Sequence, residues 1–131
     1  MKTFQKLILC AAIFCLISAG ASAQGVWVKL GTRLVNFGLD RDEIIVTGQE
    51  GVFDAIKIRV YGAPVNMHKV VVHYRNGTSQ EIELRNNFAP GSESRICDLT
   101  GNERIIVKIV FFYDTNNFAR KKGRVEAWGR H

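Results

Sequence analysis

The chain has 131 residues, 47% of them hydrophobic and 23% charged, with a formal charge of +6 and three cysteines. That length and balance describe one small globular domain and exclude a multidomain enzyme or a disordered tail. Basic residues are interleaved with acidic ones instead of being concentrated on one stretch, which argues against a nucleic-acid partner.

The first 23 residues read as an export signal. Lys2 and Lys6 form a positive start, residues 7–17 an apolar run, and Ala21-Ser22-Ala23 the small-residue pattern that a signal peptidase cuts. A membrane-spanning helix needs about 20 apolar residues, and this run is shorter. Lipid attachment at Cys10 or Cys15 is disfavoured because Leu9 and Phe14 are too large for the residue before an acylated cysteine. Cleavage after Ala23 leaves 108 of the 131 residues, and the loss of Lys2 and Lys6 leaves 16 basic residues against 12 acidic ones, a charge of +4. The expected location is the periplasm or the exterior, with no transmembrane segment after cleavage. Only Cys97 remains, so no internal disulfide can form and stability must come from the apolar core.

Beyond the signal, apolar residues recur at period two or in short runs rich in Val, Ile, Phe and Tyr, with Gly, Asn, Asp and Pro between them. This pattern predicts strands at 27–35, 43–47, 55–61, 69–75, 80–84, 94–98, 105–113 and 123–128. In the third, Ile56, Ile58 and Val60 share one face while Lys57, Arg59 and Tyr61 share the other. Between the fourth and fifth, Asn76-Gly77 predicts a hairpin with a type I′ turn. The seventh is apolar on both faces apart from Lys108, which predicts a central strand covered on both sides. The fold class that follows is all-β, a single antiparallel, jelly-roll-like sandwich of about eight strands.

Enzyme signatures are absent: the sequence has no His-Glu-x-x-His, no Gly-x-Ser-x-Gly and no phosphate-cradling glycine loop. No cofactor and no metal site is expected. Asp40-Arg41-Asp42-Glu43 groups three carboxylates, but Arg41 neutralises them and the full calcium-loop spacing is missing, so a solvated turn or a strand-start salt bridge is the simpler reading. The loop 85–95 is the leading binding candidate. Asn86, Asn87, a half-exposed Phe88 and Arg95 combine a stacking surface with bidentate donors, as saccharide or carboxylate recognition requires. Cys97, on the opposite face from Ile96, reads as a small buried hydrophobe. Trp27 and Trp128 are expected to seal the core as the first and last strands pair; an exposed pair would instead offer a platform for sugar rings. The basic run 120–122 with Arg124 reads as a solvated turn, or else as a contact for anionic lipid, lipopolysaccharide or acidic polymer. The terminal His131 is expected to fray.

The run 27–37, the Asp40-Arg41-Asp42 segment, Ser94-Arg95, Asp98-Leu99, Gly101 and Arg104-Ile105-Ile106 together resemble a family of small bacterial exported proteins of unknown function. The resemblance covers residues 27 to 129. It implies an exported all-β domain of the cell envelope and transfers no catalytic residue. The expected function is therefore binding without catalysis, directed at an envelope glycan or at another exported protein through a strand edge or the loop near Phe88. Two other readings stand beside it. One is a small periplasmic enzyme with a site around Asp40, Asp42, His73 and Arg95; the other is a purely structural or stress-related envelope protein. The enzyme requires its groups to reach one substrate within hydrogen-bond distance.

Overall fold

The computed structural model describes residues 25–35, 41–46, 51–114 and 123–131. The expected export signal, Asp40 and the basic run 120–122 lie outside the described residues. Eight strands are present: β1 (Trp27–Val35), β2 (Arg41–Ile45), β3 (Ala55–Tyr61), β4 (Val65–Tyr74), β5 (Ser79–Phe88), β6 (Cys97–Asp98), β7 (Ile106–Asp114) and β8 (Gly123–Arg130). They form two antiparallel four-stranded sheets in the orders β1, β8, β3, β6 and β2, β7, β4, β5. This is the double-sheet arrangement of a jelly roll. No helix among the described residues is long and apolar enough to cross a membrane.

Alternation places the core between the sheets. Ile56, Ile58 and Val60 of β3 and Val125 and Ala127 of β8 meet Val70 and Val72 of β4 and Ile109, Phe111 and Tyr113 of β7, and all are buried. Each such aliphatic side chain contributes about 1.5–3 kcal/mol by leaving water. β7 lies between β2 and β4, the central position expected of it. Its outer row is screened by side chains: Arg41 and Lys69 lie over the Phe112 ring at 5.9 and 4.9 Å, and Val110 beside it is 2% exposed.

The departures from the expected strands have local causes. β4 begins at Val65, four residues earlier than expected, because a bulge between Met67 and Lys69 breaks the period-two pattern while leaving Met67 and Val70 both in the core. β5 runs on to Phe88, since Arg85, Asn86 and Asn87 lie on an edge strand where polar side chains meet solvent. The expected strand 94–98 shrinks to Cys97–Asp98. There the Ser94 hydroxyl accepts from Ile58 N at 2.9 Å and donates to Arg95 O at 2.8 Å, so a side chain takes a place in the ladder. The β4–β5 turn is type I followed by a left-handed glycine, not type I′. Gly77 has φ 89° and donates to Tyr74 O at 3.1 Å, and Asn102 is the one non-glycine residue with positive φ among the described residues. Asn76 instead accepts from Thr78 N and Oγ1 at 3.1 and 2.6 Å.

The chain end does not fray. His131 stacks on Phe53 with ring centroids 4.6 Å apart, and its backbone N donates to Val26 O at 3.0 Å. Phe53 also occupies the space above Gly129, where an added Cβ would meet Phe53 Cδ1 at 2.7 Å and Leu30 Cδ1 at 3.1 Å. Gly129→Ala is therefore expected to destabilise the fold by about 1–3 kcal/mol through overpacking. Urea unfolding checks this, with a lower midpoint at an unchanged slope as the expected result.

Candidate functional site

The residues singled out from the sequence are dispersed. Asp42 is the buried strand-start salt bridge: Oδ1 accepts from Arg33 Nε at 2.7 Å and from Glu43 N at 2.9 Å. Phe88 is not half-exposed; it is 2% exposed and part of the core. Asn86 and Arg95 line a hollow of about 240 Å³ with Glu83 and Arg85, and Arg95 Nη2 donates to Glu83 O at 3.0 Å. Asn87 belongs to a different hollow, of about 220 Å³, lined by Pro64, Asn66 and Asp114. A third, of about 300 Å³, lies beside Tyr74 and Arg104. Its arginine is committed to the fold, lying 3.6 Å over the Tyr74 ring and donating to Thr100 O at 2.7 Å and Thr78 Oγ1 at 3.0 Å. Burial pushes the Tyr74 hydroxyl above the ordinary phenol range, with Arg104 opposing the shift.

Of the four residues expected to form an enzyme site, Asp40 lies outside the described residues and the other three stand apart. Asp42 stands on the core side of edge strand β2, whereas His73 points outward from β4 between buried Val72 and Tyr74. Arg95 binds the opposite edge strand, β5, with two strands intervening. At about 4.8 Å per strand that separation is about 14 Å, beyond what one reacting group can bridge. Among the described residues, no three of His, Cys, Asp and Glu come together as a metal would need.

A denser constellation covers the outer face of the first sheet. Hydrogen-bond register across β1, β8 and β3 sets four rungs: Trp27, Arg130 and Ala55; Lys29, Trp128 and Lys57; Thr32, Glu126 and Arg59; Leu34, Arg124 and Tyr61. Trp27 and Trp128 do not seal the core. They lie half-buried on this face, because the bulge at Leu30 and the alternation of β8 give the inner positions to Leu30, Val125, Ala127 and Gly129. Cations lie over the rings: Lys57 Nζ is 4.4 Å from the Trp27 centroid, Arg124 is 4.8 Å and Arg59 5.4 Å from that of Tyr61, and Arg59 is 6.0 Å from that of Trp128.

One carboxylate sits at the centre of the face. Glu126 has a side chain only 8% exposed and accepts from Trp128 Nε1 at 3.2 Å, which anchors the indole. Lys29 and Arg124 approach it to 3.9 Å each. At the margin Arg130 is anchored by Asp54, with Nε to Oδ1 2.8 Å, and this hydrogen bond raises its already high pKa. In the sequence, Lys57, Arg59 and Tyr61 share one face of β3, and Trp27 and Trp128 form a pair on the first and last strands with nothing to link them to that face. The signal that joins them is the alternation Arg124, Glu126, Trp128, Arg130, which becomes a surface only once β8 is seated between β1 and β3.

The model of a family described as a domain of unknown function, DUF2541, matches residues 7–129. No curated protein sequence matches the chain. Among solved structures, AlgX of Pseudomonas aeruginosa is similar over 76% of this chain at 13% identity, with a TM-score of 0.52, and this chain spans 26% of the AlgX chain. Two variants of a family 29 carbohydrate-binding module are similar over 82% of this chain and 78% and 84% of their own, at 14% and 11% identity, with TM-scores of 0.38 and 0.39. The likeness to AlgX is one of fold.

Cys97 stays outside any chemistry of these surfaces. It is 1% exposed, and burial pushes its thiol pKa up, with Arg95 opposing and Asp98 adding to the shift. Because the folded pKa lies above the unfolded one, the neutral thiol stabilises the fold fully below the unfolded pKa, and that contribution is lost as pH rises through the folded value. Native protein at pH 8 is expected to react with a thiol reagent at least about tenfold more slowly than protein in urea. Equal rates would contradict the buried assignment.

Proposed function

The chain belongs to this family of domains of unknown function, and from that premise we propose that it is an exported, non-catalytic binding module of the cell envelope whose ligand is a glycan. The observation that carries this reading is the outer face of the first sheet. Three aromatic rings, Trp27, Tyr61 and Trp128, are held there on a rigid sheet and surrounded by hydrogen-bond donors. Flat rings suit the apolar faces of sugars, and the flanking Lys and Arg side chains supply directional contacts to hydroxyl and carboxylate oxygens. A protein partner joined by strand addition at β5 or β6 has less in its favour. Edge strand β6 has two residues, and edge strand β5 carries charged Glu81, Glu83 and Arg85 with Glu83 O already taken by Arg95.

A thermal-shift screen against envelope glycans tests the proposal. Ligand at 100 times its Kd adds about 2.7 kcal/mol, and each 1 kcal/mol moves the midpoint of a domain this size by about 4–8 °C. The shift is expected to survive Arg95→Ala and to vanish in Trp128→Ala. Loss in Arg95→Ala with retention in Trp128→Ala would move the site to the hollow by β5, and a flat screen would overturn the glycan reading.

A further inference from the structure

We infer that the glycan recognised by the outer face of the first sheet is an acidic polysaccharide, bound through the evenly spaced cations of β1, β3 and β8. This inference rests on the glycan-binding reading above and adds the charge of the ligand to it.

The ion pairs at the centre of this face are loose, like those of Glu43 with Arg41 and Lys108 at 3.8 and 3.9 Å on the second sheet, whereas other pairs are tight. Arg33 meets Asp42 at 2.7 Å, Arg130 meets Asp54 at 2.8 Å and Lys69 meets Glu81 at 2.9 Å. On the face, Lys57 and Arg59 share Glu93 at 3.7 and 3.5 Å, and Lys29 and Arg124 share Glu126 at 3.9 Å each. Four cations thus divide two carboxylates, one of them buried, and make no short hydrogen bond to either. Their N–H groups remain available to a closer anionic partner. A charge-assisted hydrogen bond is short, at about 2.7–2.9 Å, and roughly twice as strong as a neutral one, so an incoming carboxylate competes well with contacts of 3.5 Å and more.

The cation–ring contacts point the same way. Lys57 lies over Trp27, and Arg59 and Arg124 lie over Tyr61, so the face does not present bare rings to a neutral sugar. It presents rings and cations together. A uronic-acid sugar has both matching parts, an apolar ring face and a carboxylate. Spacing then selects a polymer over a single anion. Successive outward residues of a strand are about 6.7 Å apart and neighbouring strands about 4.8 Å, so these four cations, on three successive rungs of three strands, spread over a strip about 13 Å long. No hollow among those described above lies on this strip, as a site for one phosphate or one monosaccharide would require.

The test compares polygalacturonate with its methyl ester, a neutral polymer on the same backbone, and with oligothymidine as a non-sugar polyanion. Affinities are measured by calorimetry on the purified protein at two salt concentrations. Polygalacturonate is expected to bind at least tenfold more tightly than the ester, about 1.4 kcal/mol, and to weaken as salt rises. The pair Lys57→Gln and Arg59→Gln is expected to cost about tenfold for the acidic polymer and little for the ester, whereas Arg59→Lys retains binding. Arg59 is on the surface and Lys57 is half-buried beside Trp27, and an unchanged melting temperature shows that the double variant folds. Equal affinity for acid and ester would overturn the acidic ligand and leave the glycan reading intact. Binding of oligothymidine as tightly as polygalacturonate would overturn it in favour of a general polyanion surface. Failure of both polymers, with a neutral glycan active in the thermal screen, would overturn the acidic ligand alone.

Discussion

β8 is hydrogen-bonded to β1 on one side and to β3 on the other, so residues 123–130, at the end of the chain, close the first sheet. Neither neighbour pairs with the other. The seat depends on a short list of fits: Gly129 beneath Phe53 and Leu30, Gly123 against Val65, and Arg130 clamped by Asp54. Val125 and Ala127 face the core from the same strand, so one eight-residue segment supplies inner packing and the middle column of the outer face. Such a topology is rich in contacts between residues distant in sequence, and folding of sandwiches of this kind is slow for that reason.

The same dependence explains why the outer face is ordered. Lysine and arginine side chains lose about 2 kcal/mol of rotamer entropy when held still, and rings beneath them offset part of that cost through cation–π contact. Glu126 fixes Trp128 from below, and Glu93, held to β3 by its bridge with Arg59, draws Lys57 and Arg59 toward the outer margin. A ligand meeting this surface finds its partners already arranged, which favours affinity by reducing the ordering that binding must impose.

Much of the fold was legible from alternation alone. β1 and β3 have the bounds that period two gives, and in β3 the buried and half-buried faces follow residue by residue, whereas the register shift between Lys29 and Gly31 interrupts the alternation of β1. Legibility stopped where something other than periodicity decided the outcome. A bulge at His68 hid the first half of β4, a serine hydroxyl replaced part of the ladder beside β3, and an edge position allowed Arg85-Asn86-Asn87 to be strand although their composition reads as loop. The candidate site was less legible than the fold. Asn86, Asn87, Phe88 and Arg95 are neighbours in sequence, yet the strand pleat sends Asn86 and Asn87 to different hollows and Phe88 into the core. Trp27 and Trp128 are 101 positions apart, and only the pairing of the first and last strands places them on one surface.

The face of the sandwich that meets a ligand can be read directly in solution. A titration of ¹⁵N-labelled protein with an oligogalacturonide, followed through the tryptophan indole and arginine Nε resonances, reads that face without any substitution. The expected result is that the signals of Trp27, Trp128, Arg59 and Arg124 shift together and saturate together, while those of Arg95 and Arg104 stay in place. Movement of Arg95 or Arg104 with stationary indoles would contradict it.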